Sequence, residues 1–503
     1  MMEKKLSASN AFKQPLLLVF AALLLLCTGH EGRSQQPMTL ESVDSLTYQL
    51  YLRQDWKQLI KKGEEALAAG TDFYYLRMRM GIAGLELFQP TRAAKHFRQA
   101  MKQKDGDQEA ALLLAKSLQY QLKSVEAGSL FNKLGSTLQT QSAMTKGFKP
   151  VAAHFDAAYV FRTNNKGLDF AQLAGEEGVF GQEHFYHDNA FFDAGLHFQT
   201  APQWLFYVGY QQIDIEAVDR FAWTDYTLES DSVVAGTAGN AYYYHINETQ
   251  NLRDFSQQLR QQALYLQAQW GASDRWSLTA GLQLYKVNRD FTIPDVKSQT
   301  ITDTAFYDPA SGYLELFSTE LPLTDFSKLS WSSADYSISL HGRYHLGRLT
   351  ATAGLGKSSI NDTSVVQLNL GYQLMPLGNL KLTHQGEWIM VSKENGNAMA
   401  FRASLGWRPF SKILLETEVL AGSLNNLGEQ YGYIIYNNPE SLDLKFEAGF
   451  SYLLTKNLQL QLRYRNYRAQ RRYDYIAAEV EGLKSSYYPI QSNTIIGGIK
   501  WIF

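Results

Sequence analysis

The final nine residues, Ile495-Ile496-Gly497-Gly498-Ile499-Lys500-Trp501-Ile502-Phe503, alternate in a way that constrains the whole chain. Successive side chains of a strand point to opposite faces. Ile495, Gly497, Ile499, Trp501 and Phe503 therefore share one face, and Thr494, Gly498 and Lys500 the other. A series of earlier segments repeats this two-residue period. After the first thirty residues no apolar run approaches the ~18 that a spanning helix needs. A chain of this kind meets a membrane only through strands, whose outward and inward residues average to mildly polar. The mean hydropathy of −0.28 agrees. Tyr (30), Phe (27) and Trp (9) are plentiful, as interfacial aromatic belts require.

An aliphatic face, a tryptophan near the end and an aromatic last residue make this segment resemble the closing strand of a bacterial outer-membrane β-barrel. The resemblance implies that Trp501 and Phe503 belong to the signal read by the barrel-insertion machinery. With 503 residues the chain has room for a barrel and a second module. A net charge of −2 gives no ground for a nucleic-acid partner.

Residues 1–34 read as an export signal. Lys4, Lys5 and Lys13 form a basic region, Pro15 to Leu26 an apolar one, and Gly32 and Ser34 precede a cut before Gln35. Cys27 is the only cysteine, so a chain cut there has no disulfide and no thiolate chemistry. Residues 35–145 follow a helical pattern that repeats. Gly81, Ala93, Phe97 and Ala100 return 34 residues later as Ala115, Ala127, Phe131 and Leu134. That period and its small and aromatic positions resemble tetratricopeptide (TPR) repeats. Helix pairs are expected at 40–52 with 55–69, 72–87 with 90–103, and 107–121 with 124–137. Such a module either holds a partner protein on its concave face or caps the mouth of the barrel; partner binding is the first expectation.

From residue 146 to 503 the pattern predicts an antiparallel transmembrane β-barrel of about 14 strands. The alternating segments are 155–161, 192–198, 204–210, 264–270, 276–284, 336–346, 349–355, 366–374, 380–390, 399–407, 415–421, 442–454, 458–464 and 495–503. Their connections alternate between short turns and longer loops, near 163–188, 214–257, 290–331, 423–441 and 467–489. Short turns lie on the periplasmic side of such barrels and long loops outside. Trp204, Trp270, Trp276, Trp407 and Trp501 all sit at short-turn ends and form one girdle.

The faces opposite the apolar ones carry His341, Arg343, His345, Glu387, Arg402, Glu416, Glu418, Lys445, Glu447, Arg463 and Arg465. A midplane Arg or Lys facing lipid costs roughly 2–4 kcal/mol, so these residues are assigned to the lumen. Their alternating signs predict a cross-strand ion-pair lattice first, and a charged constriction second. Ser337, Ser339 and His341 also share a lumen face, but same-face neighbours stand ~6.6–7 Å apart, beyond direct hydrogen-bond reach. No catalysis is expected, and no cofactor or metal spacing appears. Tyr431, Tyr433 and Tyr436 are expected to pack an outer loop. Arg463, Arg465, Arg468, Arg471 and Arg472 climb one strand into an outer loop, where they either meet lipopolysaccharide phosphates, draw anions toward the mouth or answer nearby carboxylates. The segments 214–257 and 290–331 are long enough to fold inward as plugs.

A TPR-like module joined to an outer-membrane barrel resembles the exopolysaccharide-export porins, and also barrel proteins of Bacteroidota with a short TPR-like leader. The resemblance implies a non-enzymatic outer-membrane channel or export port. Its partners would be outer-membrane lipid, the insertion machinery and a periplasmic protein on the helical module. A non-conducting barrel that anchors a scaffold is the alternative, and a barrel-embedded hydrolase the third.

Overall fold

The computed structural model describes residues 39–503 apart from 142, 143, 145, 164, 165, 176–178, 237, 238, 309, 310, 312, 395, 438, 439, 478 and 479. The expected export signal lies outside the described residues, as does Cys27.

Helices come first: α1 (Leu40–Leu52), α2 (Trp56–Ala68), α3 (Tyr74–Glu86), α4 (Pro90–Gln103), α5 (Gln108–Gln119), α6 (Ser124–Gly128) and α7 (Ser136–Gln141). Thr39, Asp55 and Asp107 accept hydrogen bonds from backbone N–H groups of the first turns of α1, α2 and α5, and Pro90 opens α4 where its missing N–H costs nothing. The repeat positions sit between the helices. The ring of Phe97 lies so close to Gly81 that any side chain there would collide with it. Ala93, Ala100, Ala115 and Ala127 are buried around it, and Phe131 is buried nearby. The segment 124–137, expected as one helix, instead breaks after Gly128 and continues through a single 3-10 turn, Phe131–Lys133. Gly128 abuts the backbone of Pro202 with no room for a Cβ, so α6 ends where it meets a turn of the sheet.

The remaining chain is mostly strand. It runs through β1 (Lys149–Arg162), β2 (Phe180–Tyr186), β3 (Asn189–Ala201), β4 (Trp204–Gly236), β5 (Gly239–Gly271) and β6 (Trp276–Asp308). Next come β7 (Tyr313–Leu346), β8 (Leu349–Ile360), β9 (Thr363–Leu374), β10 (Leu382–Lys393), β11 (Gly396–Phe410) and β12 (Ile413–Gly422). The last are β13 (Leu427–Glu429), β14 (Ile434–Tyr436), β15 (Ser441–Leu453), β16 (Leu458–Ala477) and β17 (Val480–Ile502). A short helix, α8 (Phe170–Ala174), precedes β2. All strands but β2, β13 and β14 pair with sequence neighbours in one antiparallel round, which leaves 14 in the wall. The round closes between β1 and β17, where Phe155 faces Ile499 and Ala153 faces Trp501. This is the closed 14-strand barrel that the alternation predicts.

Its outer face is apolar. Ile495, Ile499, Trp501 and Phe503 are about half exposed, while Thr494 and Ile496, of the opposite parity, are buried. Leu340, Leu355, Leu370, Phe401, Trp407 and Leu462 are likewise exposed on the outer side. Trp204 stacks on Trp270, its register partner, and Trp276 packs at a tilt against Tyr344, at the short-turn rim. A wall with this much outward apolar surface needs hydrocarbon around it.

Three expected loops prove to be strand. The described residues of 214–257, 290–331 and 467–489 prolong β4 to β7, β16 and β17 rather than folding inward. At ~3.3 Å per residue a 33-residue strand reaches about 110 Å, far more than a ~30 Å hydrocarbon layer. The hairpins therefore project well beyond the wall. Between them β2 pairs with β4 on one side and β16 on the other, bridging the raised sheet.

Candidate functional site

The segment that does fold inward is 423–437, between β12 and β15. Its two short strands, β13 and β14, form a hairpin that, among the described residues, pairs with no wall strand. Leu424, Leu427 and Tyr436 pack against inward-facing Ile360, Ile389, Val391, Leu420 and Leu442, making an apolar core inside the barrel. The turn between them is tight. Gln430, Tyr431 and Gly432 all have positive φ, at 52°, 64° and 82°. An aromatic residue in that region is uncommon and costs of the order of 1–3 kcal/mol. The wall holds it there: Ser339 Oγ donates to the Tyr431 carbonyl at 2.6 Å, and His341 sits edge-on to the Tyr431 ring. Tyr433 donates to Asp193, receives a hydrogen bond from Tyr207 and accepts one from Gln283 at its carbonyl. These tyrosines line the lumen, correcting the expectation that they pack an outer loop.

One charge fixes the hairpin. Glu429 is fully buried and receives hydrogen bonds from Lys445 at 2.9 Å and from the Tyr436 hydroxyl at 2.6 Å. Lys445 also donates to Glu418 at 2.7 Å. Arg402 bridges Glu387 at 3.0 Å, Glu418 at 3.5 Å and Glu429 at 3.7 Å. On the neighbouring strand, Arg465 pairs with Glu447 at 2.6 Å, and Arg463 with both Glu447 and Asp156. Glu416 lines the same space. The inward charges thus form a cross-strand lattice on β10 to β16, with Glu429 of the hairpin set into it.

At the short-turn end the helical module does the closing. Glu126 of α6 is buried between strands, where His345 Nε2 donates to its Oε1 at 2.8 Å and Arg343 stands 3.9 Å away. Burial raises the Glu126 carboxyl, but the His345 hydrogen bond and the Arg343 charge outweigh it and hold it at about 2. Burial takes Lys123 down to about 8, despite the opposing pull of Glu126. Arg98 pairs with Asp274 in the β5–β6 turn, and Thr91 bonds the Gly378 carbonyl. His341, Arg343 and His345 therefore divide between two closures: the first meets the hairpin, the other two the helices.

Between the closures lies a polar cavity of about 690 Å³. Tyr431 and Tyr433 bound it on one side, Leu122, Lys123 and Glu126 on the other, and Glu387, Arg402 and Glu416 line the wall. A second cavity of about 540 Å³ lies on the hairpin's other side, bordered by Ile213, Leu259, Phe291, Trp331 and Ile435. Beyond it, Arg468, Arg471 and Arg472 answer carboxylates, pairing with Asp443, Glu440 and Asp474 at 3.0, 3.1 and 2.7 Å. Glu429 and Glu126 escape pattern reading: one ends a three-residue strand and the other sits on a five-residue helix, both too short to show a period.

No family model and no curated protein matches this chain. Several solved structures are similar to it. The TodX monoaromatic hydrocarbon channel deltaS2 mutant gives a TM-score of 0.37 at 10% identity, covering 75% of this chain and 95% of that one. A FadL homologue of Pseudomonas aeruginosa gives 0.39 at 8%, covering 75% and 92%. The outer membrane channel DcaP of Acinetobacter baumannii gives 0.28 at 12%, covering 71% and 98%. All three scores lie below 0.5.

Proposed function

We propose that this chain is a gated outer-membrane channel for small polar solutes, seen closed. Its helical module faces the periplasm and its projecting hairpins face outward. The observation that carries this reading is the polar cavity inside the barrel, bounded by two removable parts of the same chain. Neither closure belongs to the wall. The hairpin is held largely by Glu429 and by hydrogen bonds to Ser339 and Asp193, and the helical plug by Glu126 and Arg98. Contacts of this kind can part without opening the wall. The exposed apolar band supports insertion in lipid, with Trp501 and Phe503 offered to the insertion machinery. Among the inward residues of β7, Ser339 and His341 serve the hairpin, while Asp335 receives hydrogen bonds from Ser333 and Ser359. The proposal accordingly includes no catalysis.

The apolar core around Leu427 and Tyr436 favours a second reading, a permanently closed barrel that anchors the module and its periplasmic partner. Planar-bilayer conductance separates the two. The channel reading expects rare, brief openings from the native protein and steady current once residues 424–437 are replaced by a short turn. If the shortened protein inserts yet stays silent, the anchor stands. Passage of a polymer rather than ions would instead return the chain to the exopolysaccharide-export resemblance.

A further inference from the structure

We infer that the lumen wall carries a site for one divalent transition-metal ion, built by His154, Asp156 and Asp193. The inference is independent of whether the barrel conducts. His154 and Asp156 are two residues apart on β1, so both point inward. Asp193 on β3 is the register partner of Asp156. One ligand atom from each of the three lies within 4.8 Å of the others.

Like charges directly opposite on neighbouring strands repel, and here the two carboxylates are only 6% and 8% exposed. The protein answers half of each. Arg463 donates to Asp156 Oδ2, and Tyr433 donates to Asp193 Oδ2. Among the described residues no hydrogen-bond donor reaches either Oδ1. His154 Nε2 stands 3.7 Å from Asp193 Oδ1, beyond hydrogen-bond range. The unanswered Asp193 Oδ1 thus faces the His154 imidazole at the edge of the polar cavity, which all three residues line, while Asp156 Oδ1 lies over Gly498 of β17 and brings a second buried carboxylate to the same spot.

A mixed nitrogen and oxygen set suits a first-row divalent ion such as Zn²⁺ or Mn²⁺, whereas Ca²⁺ and Mg²⁺ take oxygen. Arg463 and Tyr433 orient the carboxylates, as outer-shell groups do. Lys500 and Arg463 bring positive charge close by, and Glu416 and Glu447 in the same cavity offset it. Because Tyr433 belongs to the inner hairpin, the site touches the closure.

The test is titration of the purified full chain in detergent, first stripped with a chelator. Zn²⁺ is followed by calorimetry and Mn²⁺ by electron paramagnetic resonance. One ion per barrel is expected, with binding weakened about tenfold or more by Asp193→Asn and by His154→Ala. Asp335→Asn, which alters a buried lumen carboxylate already satisfied by Ser333 and Ser359, should leave it unchanged. Heat-modifiable gel mobility reports whether each variant folds, and His154→Gln replaces any that does not. Absence of saturable binding by the unaltered protein at millimolar ion overturns the proposal. So does binding that survives Asp193→Asn. An Asp193→Asn protein that melts higher than the parent, when the parent takes up no ion, would show that the pair shares a proton instead.

Discussion

Lys445 shows how a single residue can hold two segments together. It is fully buried on β15, and its ammonium is shared between Glu418 of the wall and Glu429 of the hairpin. Removing one partner of a buried ion pair leaves a charge without compensation and costs about 3–5 kcal/mol. Glu429→Ala is therefore expected to lower the thermal midpoint in detergent markedly. It should also raise open probability in bilayers, since Lys445 and Arg402 then lose the hairpin partner. Replacing both members with apolar residues, Glu429→Leu with Lys445→Met, should restore much of the stability. A single Glu429→Ala protein with native melting and native conductance would refute the role given to this pair.

In the proposed channel reading, the hairpin is the element on which gating turns. Its geometry offers a direct lock. A Cβ placed on Gly432 would lie 3.7 Å from the Ser337 Cβ, inside the ~3.5–4.5 Å that a disulfide spans. The positive φ at Gly432 makes the substitution strained, at a cost of roughly 1–2 kcal/mol. A Gly432→Cys, Ser337→Cys protein should lose its residual openings when oxidised and regain them on reduction. Mass spectrometry would confirm the bond. Conductance indifferent to the bond would mean that ions bypass the hairpin. The same element marks the limit of pattern reading. The length of segments 214–257 and 290–331 suggests plugs, yet extended pairing satisfies the backbone of their described residues without entering the barrel. The shorter 423–437 segment enters because Leu424, Leu427 and Tyr436 can bury apolar surface there.

At the scale of the whole molecule, barrel and helical module are held together differently and should respond differently to acid. His96 between α3 and α4 is buried, and burial together with the Arg77 charge lowers it to about 3. Unfolded, it takes up a proton near 6.5, so below that pH the unfolded module binds more protons than the folded one. Stability conferred by neutral His96 is thus complete above 6.5 and is lost as pH falls toward 3. At pH 4 the loss is up to about 3 kcal/mol. Glu126 adds to it, since its depressed value makes its contribution full above 4.5 and lost toward 2. Circular dichroism at decreasing pH should show the helical signal melting while the barrel remains heat-modifiable on gels. His96→Gln should flatten the upper part of that profile. Simultaneous loss of helix and barrel would contradict the separation.

How far the sequence reached is clear from particular residues. The inward position of Arg402, Glu418, Lys445 and Arg463, and the outward position of Ile499 and Trp501, follow from alternation alone. A strand's period is local, and a charge in hydrocarbon costs kilocalories, so one parity survives. The 14 wall strands follow for the same reason. What tertiary structure alone decided is which groups those inward charges meet. Glu429 reaches Lys445 and Glu126 reaches His345 because an irregular loop and a truncated helix enter the lumen from opposite ends. Neither carries a repeating pattern, and their burial depends on a cavity that exists only once the fourteen strands have closed.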